Sequence, residues 1–86
     1  MKKIVCVLRP FTMAQNIFVY EDGNKIEVKQ TTINAMADML FELSEKHSVY
    51  NIEIVGSKAY AKGIKNQVEK EELSKFNINK LNINII

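Results

Sequence analysis

Apolar and polar positions along this chain keep two different periods, and the switches between them mark out seven elements. Residues 2–8 form a nearly continuous apolar run rich in β-branched side chains, Ile4-Val5-Cys6-Val7-Leu8 at its heart. That is how a strand central in its sheet reads. Arg9-Pro10 ends the run, because proline has no amide for the ladder and restricts the residue before it. Two β-rich runs, 16–20 and 25–29, then flank Glu21-Asp22-Gly23-Asn24. Asp-Gly in that setting predicts a hairpin. Its second strand alternates Ile26 and Val28 against Lys25, Glu27 and Lys29, which suits a sheet edge.

The period then changes to that of a helix, capped by Thr31 or Thr32 and running to about His47. Its stripe is Ile33, Met36, Leu40 and Leu43, widened by Met39 and Phe41, and it should lie on the sheet. Asp38, Glu42, Glu45 and Lys46 fill the solvated face, and a protonated His47 would complement the helix dipole. The best-determined stretch comes next: Ile52 and Ile54 alternating with Glu53, a turn at Gly56, and Ser57 placed to cap a second helix. Tyr60, Ala61, Ile64 and Val68 give that helix its stripe, with Gly63 allowing a close approach and Glu69-Lys70-Glu71-Glu72 as outer surface. Leu73 and Phe76 fall out of phase, so the helix should end near them, with Phe76 folding back over the core. Leu81, Ile83 and Ile85 alternate with Asn82 and Asn84 as a last strand.

Composition narrows the class. The 86 residues, 47% of them hydrophobic, suffice for a single domain, 1–86, with one modest core. A net charge of +2 permits nucleic acid as a partner without indicating it. The single cysteine, Cys6, lies in the first apolar run, which suggests a buried thiol and a cytoplasmic protein. Two lysines before that run imitate a secretory signal, but Arg9-Pro10 cuts it short of a leader or a membrane span. The abundance of Lys, Asn and Ile fits AT-rich coding, as in a low-GC bacterium or its phages.

Strand, hairpin, helix, strand, helix, strand is an order that resembles the ribonuclease H-like fold. The resemblance implies an α/β domain with a mixed five-stranded sheet of order 3-2-1-4-5, strands numbered along the chain. Both crossovers would travel the same way, and right-handedness would put both helices on one face. That family holds catalytic metals with acids in the middle of the first strand and near the end of the fourth. Here those places hold Cys6-Val7 and Val55-Gly56, with Asp38 and Glu42 the only acids near a matching element. The expectation is therefore no nuclease, no catalytic or metal residues and no cofactor. Met1-Lys2-Lys3-Ile4 with Arg9-Pro10-Phe11 also resembles the opening of the PII nitrogen-regulator family. That likeness ends where PII proteins enter a helix and this chain makes a hairpin, so nothing of PII ligand binding is carried over.

A sheet with both helices on one side leaves its other side bare. Side chains of one parity, Val5 and Val7 or Ile4, Cys6 and Leu8, with Val55 or the Ile52 and Ile54 pair, must line it. Val5, Val7 and Val55, with Phe11 and Met13 in the neighbouring connection, are the candidate interface of a homodimer or of a complex with another protein. The leading expectation is a small non-enzymatic interaction module. The alternative is a phosphate, nucleotide or nucleic-acid site at the second helix start, where Gly56, Ser57, Lys58 and Lys62 gather amides, a hydroxyl and two ammonium groups. The spacing is not that of a P-loop, and ordinary capping explains Gly56 and Ser57 equally well.

Overall fold

In a computed structural model the chain is described for residues 3–8, 16–21, 24–29, 32–75 and 79–86, with the backbone path alone given for 16–21 and 24–29. The elements are β1 (Ile4–Val7), β2 (Asn16–Glu21), β3 (Asn24–Lys29), α1 (Ile33–His47), β4 (Asn51–Val55), α2 (Lys58–Ser74) and β5 (Asn82–Ile85). Hydrogen bonding orders the strands β3-β2-β1-β4-β5. Residues Glu21 and Asn24 pair across the hairpin, whose Asp22-Gly23 turn lies outside the described residues, as do Arg9-Pro10, Thr31 and Phe76.

The α/β class expected from the sequence is corrected to α+β. Only β1, β4 and β5 run parallel; β2 and β3 are an antiparallel hairpin joined to the outer side of β1. Helix placement is corrected with it: both helices pack on the three-stranded parallel unit, α1 and α2 forming a contacting pair and the backbone of α2 coming closest to β4 and β5. Three parallel strands and two helices thus make the packed unit. Its core is one cluster, in which Ile4, Cys6 and Leu8 meet Ile52, Ile54, Met36, Leu40, Ala61, Ile64 and Val68. Each fully buried large aliphatic among them contributes roughly 1.5–3 kcal/mol of transfer free energy.

Both helices start where a hydroxyl takes an orphan amide. Thr32 Oγ1 accepts from the Ala35 N–H at 3.2 Å, and Ser57 Oγ accepts from the Tyr60 N–H at 3.4 Å. Helix α1 stops at Ser48, which turns into the left-handed region at φ 55° and donates its N–H to the Ser44 carbonyl. Helix α2 stops at Ser74, with Leu73 90% exposed, so the phase break seen in the sequence is a real end to the packed stripe. No described helix is long and apolar enough to cross a membrane.

Candidate functional site

Parity along the parallel strands separates two sheet faces. Register aligns Ile4 with Ile52 and Ile83, and Cys6 with Ile54 and Ile85; these point at the helices. Val5 aligns with Glu53 and Asn84, and Val7 with Val55; these occupy the opposite face, which no described helix covers and which is the helix-free face in that sense. The sequence-derived interface residues Val5, Val7 and Val55 are therefore brought together there, each half-buried. Phe11 and Met13 lie outside the described residues.

The face is not the uniformly apolar strip that the sequence suggested. Lys3 Nζ donates to Glu53 Oε2 at 3.0 Å, and Asn82 Nδ2 donates to Asn51 Oδ1 at 3.2 Å. Three valines toward one end thus adjoin a patch of paired polar groups toward the other. Both contacts bridge residues far apart in sequence, so only the strand register could have revealed them. A concavity of about 560 Å³ opens where the parallel strands begin, lined by Lys3, Asn51, Glu53, Lys65, Leu81 and Asn82 among others.

The start of α2 is explained by packing. Gly56 has φ +126°, and a Cβ built on it would stand 2.3 Å from the Leu8 carbonyl oxygen. Glycine is required because β1 passes against the turn. Ser57 uses its hydroxyl on the Tyr60 N–H and its carbonyl on the Ala61 N–H at 2.9 Å. Lys58 and Lys62 are exposed, and no second feature beside them points to an anion. Tyr60, half-buried, packs against the core, with burial and then the neighbouring Cys6 raising its pKa.

Cys6 is completely buried, and burial pushes its thiol up to about 12. A thiol held neutral at physiological pH is no nucleophile. Among the described residues no group of three or more His, Cys, Asp or Glu is arranged to hold a metal ion.

Two acids of the expected outer surface of α2 have structural work. Glu72 Oε2 accepts the Leu81 N–H at 2.7 Å, fixing the entry to β5. Glu71 pairs with Lys75 at 3.7 Å through one oxygen, while its other oxygen is buried. Burial of the carboxyl, then Asp38 across from it on α1, raise its pKa above 4.5, against the opposing pull of Lys75. Lys75 also lies over the Phe41 ring, 5.2 Å from its centroid, beside a shallow groove of about 370 Å³ bordered by Asp38, Glu42 and Glu45. No protein-family model, no curated protein and no solved structure matches this chain.

Proposed function

We propose that this chain is a small cytoplasmic protein-interaction module, acting by contact rather than catalysis, whose helix-free sheet face receives a folded protein partner. The observation that carries this reading is the half-buried cluster Val5, Val7 and Val55 on the side of the sheet opposite both helices. Apolar surface on strands in the middle of a sheet is stabilised by cover, and a partner's apolar side chains would provide it.

Charge decides between a protein and a nucleic acid as occupant. Among the described side chains of that face the ammonium, Lys3, is already committed to Glu53, and the whole chain carries only +2. A phosphate backbone would find little to neutralise it. A protein surface with an apolar centre and amide-rich rim matches the valines and the Asn51, Asn82 and Asn84 side chains beside them.

The test is a photo-cross-linking amino acid placed at Val55 in cells that encode the protein, with the same substitution at Glu69 on the exposed side of α2 as control. A discrete adduct from Val55 that disappears when Val7→Lys is added, and none from Glu69, is the expected result. Equal adducts from both positions, or none from Val55, would overturn the reading.

A further inference from the structure

Strand β5 is an edge, and its backbone chemistry specifies a partner. The Asn82 N–H donates to the Tyr50 carbonyl at 2.8 Å and the Ile86 N–H to the Ile54 carbonyl at 3.0 Å. In a parallel ladder, residues alternate between facing the neighbour and facing away. The N–H and C=O groups of Ile83 and Ile85 are therefore turned outward, and no described strand pairs with that edge. The Leu81 amide next to them is already given to Glu72. The strand reads Asn-Ile-Asn-Ile, without the charge, proline or bulge by which edges are usually protected from pairing.

We propose that a second copy of this chain pairs here, β5 antiparallel to β5, about a two-fold axis normal to the sheet at Asn84. Ile83 then faces Ile85 of the other copy, and Ile85 faces Ile83, each couple exchanging both of its backbone hydrogen bonds. This register uses all of the outward amides and carbonyls of the two isoleucines. Centring the axis on Ile83 instead would ask for the Leu81 amide that Glu72 holds. Slipping by a single residue would set Ile83 against an Asn whose N–H and C=O are turned to β4, leaving the outward groups of both copies without partners.

The side chains are self-complementary in the chosen register. Ile83 and Ile85, half-buried at the rim of the core, cover each other across the junction on the helix side. Asn84, exposed, meets its own copy on the axis with no like charge opposed to it. The helix-free faces of the two copies come to lie side by side, still open. The inference thus extends the interaction-module reading by naming a partner, and uses a different surface from the valine face.

Sedimentation equilibrium of the full chain, with cross-strand cysteines to fix the register, tests it. The wild type is expected to dimerise, and Asn84→Lys, which puts two like charges on the axis without touching the core, to weaken dimerisation at least tenfold. Under a mild oxidant, Asn84→Cys should form a covalent dimer, because residues facing each other in a non-hydrogen-bonded antiparallel pair lie within disulfide reach. Asn82→Cys should not, since the two copies of that residue would be about 13 Å apart along the strands. A wild type that sediments as a monomer up to millimolar concentration, or covalent dimers from Asn82→Cys and Asn84→Cys alike, would overturn the pairing. Cross-linking from Val55 is read separately, so failure of the edge pairing and failure of the valine face are distinguishable.

Discussion

Replacing Gly56 by alanine tests whether the turn after β4 is set by packing. The new Cβ would stand 2.3 Å from the Leu8 carbonyl oxygen and 3.0 Å from the Leu8 Cβ, so backbone rather than a flexible side-chain tip must give way. A φ of +126° adds about 1–3 kcal/mol of conformational strain for any residue with a Cβ. Forcing β1 and β4 apart adds roughly 1–3 kcal/mol as overpacking. The strain also reaches the 2.7 Å bond from the Leu8 N–H to the Val55 carbonyl, worth about 1 kcal/mol. A loss of roughly 3–7 kcal/mol follows from these three terms. Against a whole-domain stability of about 4–13 kcal/mol for this length, that leaves a marginal fold. Urea denaturation followed by circular dichroism measures it, with Gly63→Ala as comparison. There the added Cβ meets only the end of the Ile33 side chain, at 2.7 Å, and helix propensity returns about 1 kcal/mol, so the net change should be small. A Gly56→Ala variant within about 1 kcal/mol of wild type would refute the packing argument.

Other consequences are as direct. Cys6 should resist a thiol reagent in the native state and react at once in denaturant; prompt labelling of native protein would contradict its burial. Glu71 has a raised folded pKa, so its contribution to stability is full below the ordinary value of 4.5 and is lost as pH rises through the folded value. Glu71→Gln should therefore match wild type in acid and exceed it in melting temperature at neutral pH, and the reverse order would show the sign to be wrong. Glu72→Ala removes the charged acceptor of the partly buried Leu81 amide and should cost about 1–3 kcal/mol, with faster amide exchange at β5; unchanged exchange there would count against that anchor.

Much of the architecture was legible because the local signals agreed. The change of period at Thr31 or Thr32, the Asp22-Gly23 pair between two strands, and Ser57 ahead of an apolar stripe each name an element from its own residues. Class was misjudged because element order does not say how many strands belong to the packed unit; the hairpin adds an antiparallel pair to a parallel three-stranded core. The site was half legible. Strand parity put Val5, Val7 and Val55 on one face, but the Lys3–Glu53 and Asn51–Asn82 contacts depend on register between distant segments. Gly56 was recognisable as a turn residue, whereas its contact with Leu8 comes from the pairing of β1 with β4. Glu71 and Glu72 read as solvated charges because nothing local marks the strand and the helix that they meet.

The claim on which the functional account rests is that another protein covers the helix-free face, and cross-linking from Val55 in cells reports on it most directly. A discrete adduct at Val55 that Val7→Lys abolishes and that Glu69 never forms is the expected result. Adducts indifferent to Val7→Lys, or a Val55 probe that captures no protein, would contradict it.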